Sequence, residues 1–144
     1  MIHERAYHRW NEAWIAEEYC IQMGKGYCFK PLGPMSDIDG YVMKDGVIDH
    51  PLELRFRGYS YESASRKGWV PVGAGKLDKL LLNSAYYGNL FSDGLFCIYQ
   101  YDGHPNGFYM DNRHGRRREK VYKVPIDEFV LLFRMPVEGM ISQL

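Results

Sequence analysis

The sequence predicts an α/β domain, a two-layer or three-layer sandwich in which helices flank a small mixed central sheet. Three observations predict it. An amphipathic helical stretch opens the chain, a trio of strands follows, and a second helix separates that trio from later aromatic strands. The chain has 144 residues, 46% of them hydrophobic and 15% aromatic, which suits one domain over 1–144 with a ring-rich core.

Residues 4–23 form the first expected helix, with Tyr7, Trp10, Trp14 and Ile21 on one stripe and Gly24 and Gly26 ending it. YCFKPL (27–32) reads as an edge strand, because Pro31 cannot donate to a ladder. IDGYVM (38–43) and VIDHPLELRFR (47–57) read as an antiparallel pair joined by the turn KDG. SYESASRKGW reads as a short helical turn ending near Gly68. Residues 75–87 carry the second helix, with Leu77, Leu80, Leu81 and Ala85 on its apolar face. GLFCIYQY (94–101) is a strand, and FYMDN (108–112) is expected to pair back on it. VYKVP is a last strand and residues 126–134 a short final helix or strand.

Net charge is zero, from 18 basic and 18 acidic residues, so a globally basic coat for nucleic acid is excluded while a local patch is not. Cys20, Cys28 and Cys97 show no metal-ligand spacing and no even disulfide set, which points to a reduced, cytoplasmic setting and to small core residues. The polar start MIHERAYHRW is no signal peptide, and no apolar run approaches the roughly 20 residues of a membrane helix. The five His residues form no zinc pattern, and GAGK (73–76) lacks the spacing of a P-loop.

The stretch LELRFR (52–57) alternates strictly. Leu52, Leu54 and Phe56 share one strand face, while Glu53, Arg55 and Arg57 share the other. The charged face is either solvated or a working surface. Asp39, in DIDG just upstream, decides between them if it meets Glu53, since two carboxylates on neighbouring strands can hold a divalent cation. Register is the test. A two-residue Asp45-Gly46 turn sets Lys44 against Val47, and counting back then sets Asp39 against Leu52. One extra residue on the return strand restores the Asp39–Glu53 pairing, and His50-Pro51 is the expected place for it.

DIDGYVMKDGVIDHPLELRFRGYS resembles the metal-binding hairpin of PD-(D/E)xK nucleases, especially compact phage and bacterial members. Asp39 matches the motif Asp, Glu53 the motif Glu and Arg57 a trailing Arg, with Tyr59-Ser60 fitting an aromatic-Ser pair. VPVGAGKLDKLL resembles that family's second helix, which opens with a Lys, here Lys76. The resemblance covers roughly residues 36–132 and implies an αβββαβ restriction-endonuclease-like core. It further implies Mg²⁺ or Mn²⁺ held by Asp39, Glu53 and the carbonyl of Leu54, and DNA as partner, cut internally or from an end.

The motif Lys falls on position 55, where this chain has Arg, which is always charged and cannot hand over a proton. Lys76 is then the substitute cation, and both Arg55 and Lys76 stand as catalytic candidates. The family's first helix often lends a Glu. Glu4, Glu12, Glu17 and Glu18 compete for that place, and a stripe centred on Trp14 sets Glu18 beside it and Glu12 nearly opposite.

The basic run RHGRRREK (113–120), with Arg116, Arg117 and Arg118, is either a phosphate grip beside Arg57 or a solvated loop. The alternative to a nuclease is a catalytically silent protein of this fold that binds nucleic acid or joins an assembly, and Arg55 favours it. A viral accessory protein with no nucleic-acid role is a third reading. The sequence leaves the oligomeric state open, a homodimer included.

Overall fold

The computed structural model describes residues 2–105, 109–111 and 119–135. A long helix, α1 (Ile2–Met23), precedes three strands, β1 (Tyr27–Pro31), β2 (Gly40–Lys44) and β3 (Val47–Phe56). Then come α2 (Tyr61–Lys67), β4 (Trp69–Gly73), α3 (Ala74–Asn83), β5 (Tyr86–Leu90) and β6 (Leu95–Gln100). The chain continues through β7 (Tyr109–Asp111), β8 (Glu119–Pro125), a 3₁₀ turn (Ile126–Glu128) and β9 (Val130–Arg134). The central sheet has six strands in the order β1-β2-β3-β5-β6-β9, and β4, β8 and β7 form a second sheet. β3 and β5 run parallel and the other central pairs antiparallel, so the expected mixed sheet is present.

Two cores lie on opposite faces of the central sheet. Ile15, Ala16, Tyr19 and Cys20 of α1 pack on Val42, Leu52, Leu54, Leu90, Phe96 and Ile98. On the other face, Ala64 of α2, Val70 and Val72 of β4, and Leu77 and Leu80 of α3 pack on Tyr87, Phe91, Cys97 and Tyr99. The result is three layers, with β3 and β5 in the middle one. Leu52 is fully buried, and burial of a Leu side chain contributes about 1.5–3 kcal/mol. That gain on one face of β3 helps offset the cost of burying Glu53 on the other.

The local signals explain most boundaries. Asp45 and Gly46, both at positive φ (50° and 83°), make the tight turn between β2 and β3. Ser60 caps α2 by accepting from the Ser63 N–H at 3.0 Å, and Gly68 closes it in the left-handed region. The Ser of the Tyr59-Ser60 pair thus has a structural task.

Several expectations need correction. Among the described side chains of α1 the fully buried ones are Ile15, Ala16, Tyr19 and Cys20, Trp14 packs partly against them and Ile21 is 69% exposed, while the side chains of Tyr7 and Trp10 lie outside the described residues. The second long helix stops at Asn83, because Ser84 turns left-handed (φ 52°), and the following residues become β5. β7 pairs with β8 and not with β6, whose free side is taken by β9. Residues 126–134 divide into the 3₁₀ turn and a strand. Cys28 is exposed, while Cys20 and Cys97 are core residues. Arg116, Arg117 and Arg118 lie outside the described residues. Among the described residues, no helix is long and apolar enough to cross a membrane.

Candidate functional site

The β2–β3 ladder begins as the turn dictates, with Lys44 opposite Val47 and Met43 opposite Ile48. It then skips one residue. Val42 faces His50, Tyr41 faces Pro51 and Gly40 faces Leu52, so Asp49 is the extra residue of a bulge. The irregularity falls one residue before the expected His50-Pro51. Its consequence is the expected one: one more step of this register sets Asp39 across from Glu53. Gly40 is obligatory here, because a Cβ at that position would collide with the Lys30 carbonyl and the Phe29 ring. The backbone thus passes close to β1 just where Asp39 enters the site.

Asp39 is held at both ends. Its carbonyl accepts from the Leu32 N–H at 2.9 Å, and its Oδ2 accepts from the Leu54 N–H at 2.7 Å. In a strand, the N–H and C=O of one residue point to the same side, so the Leu54 carbonyl also faces the Asp39 side of β3. Burial pushes the Asp39 carboxyl up, to about 8, and the neighbouring Glu53 charge adds to the rise. The Leu54 N–H opposes it, a proton shared with Glu53 favours the protonated form, and the charge of Glu12 raises it further. Glu53 is only 6% exposed.

Lys76, on the first turn of α3, forms an ion pair with Glu53 Oε2. A cation at a helix N-terminus lies against the helix dipole. The buried carboxylate of Glu53 offsets that cost, which accounts for a lysine at this place. Asp39, Glu53 and Lys76 therefore converge from three elements.

Arg55 shares a strand face with Glu53 but is exposed, and among the described residues no hydrogen bond or ion pair joins it to Asp39 or Glu53. Arg57 lies further along the same face and is tied to Asn89 and Tyr87. Of the competing glutamates, the side chain of Glu4 lies outside the described residues, and among the rest Glu12 is the one whose charge acts on Asp39. Glu18 accepts from Gln22 on the exposed side of α1. At 100° per residue, the fully buried residues Ile15, Ala16, Tyr19 and Cys20 are centred roughly 170° from Trp14, which packs only partly against the same core. With Ile15, Ala16 and Tyr19 as the buried stripe, Glu12 sits one turn earlier on the same face.

The donor set is two carboxylates and one carbonyl, all hard oxygens. Among the described residues, no three His, Cys, Asp or Glu side chains form a metal-holding group. Such a set fits a small divalent cation that keeps several waters, as Mg²⁺ does. Burial and the Glu53 charge both disfavour the ionised form of Asp39.

A second buried polar cluster lies on the opposite face of β3. His50 Nδ1 is 2.6 Å from Asp49 Oδ2, and His50 Nε2 is 2.9 Å from the Tyr19 hydroxyl. The His50 ring stacks on Tyr86 with centroids 4.2 Å apart. This cluster ties α1 to the bulge, and sequence reasoning saw only the irregularity and not the partners. No family model, curated protein or solved structure matches the chain.

Proposed function

We propose that this chain is a metal-dependent nuclease of the PD-(D/E)xK type, hydrolysing phosphodiester bonds of DNA. The observation that carries this reading is the bulge-enforced meeting of Asp39 and Glu53 beside Lys76. The element order supports it too: with α2 and β4 set between β3 and α3 as additions, α1, β1, β2, β3, α3 and β5, with β5 parallel to β3, are compatible with the αβββαβ order that the hairpin's resemblance implies.

Asp39, Glu53 and the Leu54 carbonyl would hold Mg²⁺ or Mn²⁺, which polarises a phosphoryl oxygen when bound. Asp39 must ionise to serve, so its raised pKa ties metal binding to pH. Lys76 substitutes for the motif lysine from a different element. Its ammonium, fixed by Glu53, is positioned to orient water and to stabilise negative charge gathering on the phosphoryl oxygens. The water oxygen bonds to phosphorus and gives up a proton to solvent, the phosphorus–oxygen ester bond breaks, and the leaving oxygen takes up a proton, so that a phosphomonoester and a hydroxyl end result. Arg55, exposed beside this site, serves the phosphate backbone rather than the reacting group.

The test is incubation of circular duplex and linear single-stranded DNA with the chain in Mg²⁺ or Mn²⁺. The wild type should cut at least one of them, and Asp39→Asn and Glu53→Gln should not. A second reading, a silent nucleic-acid-binding protein of the same fold, is favoured by Arg55 at the motif lysine position. It expects salt-sensitive DNA binding, no cleavage with either metal, and binding untouched by Glu53→Gln.

A further inference from the structure

Beyond Glu53, the charged face of β3 leads to a guanidinium with no counter-ion. Arg57 continues the parallel ladder, its N–H donating to the Leu90 carbonyl at 2.9 Å. Its side chain turns onto β5. Nε donates to Asn89 Oδ1 at 2.7 Å and Nη2 to the Tyr87 hydroxyl at 3.4 Å, with the Tyr87 ring 6.0 Å from the guanidinium carbon. Both partners are neutral. Among the described residues, no carboxylate pairs with Arg57, and the nearby charge of Arg55 repels it.

Burial acts against this cation and pulls its pKa down. A partly buried charge is ordinarily paired. A guanidinium has five N–H donors, and these two contacts engage two of them. Asn89 is wholly buried, and its Nδ2 has no hydrogen-bond partner among the described residues. A buried amide that uses only its oxygen, and uses it on an arginine, holds that arginine in a fixed pose. Strand geometry sets Arg57 four residues from Glu53, roughly 13 Å along one face, with exposed Arg55 between them.

We propose that Arg57, aimed by Asn89 and Tyr87 and flanked by Arg55, is a second phosphate subsite, which takes a phosphate group of the nucleic-acid strand other than the one that is cut. The inference rests on the hydrolytic reading of Asp39 and Glu53. A guanidinium fork matches tetrahedral phosphate oxygens, and the missing countercharge is what such a group supplies. The phosphate is either an internal phosphodiester or a terminal phosphomonoester. Asn89 is a positioning residue here, acting through Arg57.

Binding is measured by fluorescence anisotropy, in EDTA and on an Asp39→Asn background, so that nothing is cut. The probes are two oligonucleotides of one sequence, one with a 5′-phosphate and one with a 5′-hydroxyl. The informative variant is Asn89→Asp, which places a carboxylate against Arg57 and fills the vacant role of counter-ion. It should keep the thermal stability of its parent, weaken binding about tenfold and lower the salt slope by about one. Arg57→Met should weaken binding similarly, and if it does not fold, Asn89→Asp decides alone.

Equal losses on both probes assign an internal phosphate, and a loss confined to the phosphorylated probe assigns a terminal one. Unchanged affinity and salt slope in Asn89→Asp overturn the subsite. That failure is separable from failure of the hydrolytic reading. A wild type that cuts DNA beside an indifferent Asn89→Asp condemns only the subsite, and a wild type that never cuts, beside a sensitive one, condemns only the hydrolysis.

Discussion

Two buried polar clusters sit four residues apart or less along β3, on opposite faces, and they solve the same problem differently. Under α1, His50 is bonded on both ring nitrogens, by Asp49 and Tyr19, and stacked on Tyr86. On the other face, Asp39 and Glu53 bring two carboxylates to the single cation of Lys76, and burial first, then the Glu53 charge, pushes the Asp39 carboxyl up to about 8. The first cluster is closed at its centre: among the described residues both ring nitrogens of His50 have a partner. The second is open, because its acids exceed its cations within the site. Burial alone does not mark a functional site; burial with unbalanced charge does.

The contrast breaks most sharply under mutation. Asp39→Asn and Glu53→Gln should each lower the cleavage rate about a thousandfold or more, since a lost ligand removes several kcal/mol of transition-state stabilisation. Cleavage of a labelled oligonucleotide, with circular dichroism as the check on folding, reads both. Lys76→Met should cost about a hundredfold, on the scale of losing one charge-stabilising donor. Arg55→Ala should stay within about threefold, because its side chain is exposed and has no contact with the acidic pair.

His50→Ala should do the reverse. It opens a cavity and strands Tyr19 and Asp49, costing about 2–4 kcal/mol in urea unfolding, while cleavage by the folded fraction is unchanged.

The smallest effect concerns pH. In metal-free protein, the folded pKa of Asp39 lies above its usual value of 3.8, at about 8. Between those values the unfolded chain has lost a proton that the folded chain retains. This group's contribution to stability therefore falls as pH rises from about 4 to about 8, and is level above that. Asp39→Asn should remove this part of the slope in thermal melts taken across that range.

The hairpin was legible because its signals are local. Asp45-Gly46 dictates a tight turn, and alternation over 52–57 assigns the faces of β3. The need for a bulge followed from counting residues, and only its place, at Asp49 rather than at His50-Pro51, was off. Lys76 was visible through resemblance and not through its own neighbours, since its pairing with Glu53 spans 23 residues.

Other features were hidden for physical reasons. The stripe of α1 reads from its large rings, whereas among the described side chains the fully buried residues are Ile15, Ala16, Tyr19 and Cys20, with Trp14 only partly buried, and Glu12 shares their side of the helix and acts on Asp39 by its charge. β5 reads as the end of a helix because Ala85, Tyr86 and Tyr87 extend the apolar pattern, and Ser84 is an uncommon left-handed stop. Sequence adjacency pairs β7 with β6, whereas in the fold β9 occupies that edge of β6 and β7 pairs with β8. Asn89 carried no signal at all. A lone Asn in an aromatic strand acquires meaning only when Arg57, 32 residues earlier, folds onto it.

The acidic pair can be interrogated without substrate. Mn²⁺ titrated into metal-free protein at pH 8.5 and followed by electron paramagnetic resonance counts bound ions directly. One tightly held Mn²⁺ per chain, lost in Asp39→Asn and retained in His50→Ala, is the predicted result. No bound ion, or a bound ion that Asp39→Asn leaves in place, would contradict it.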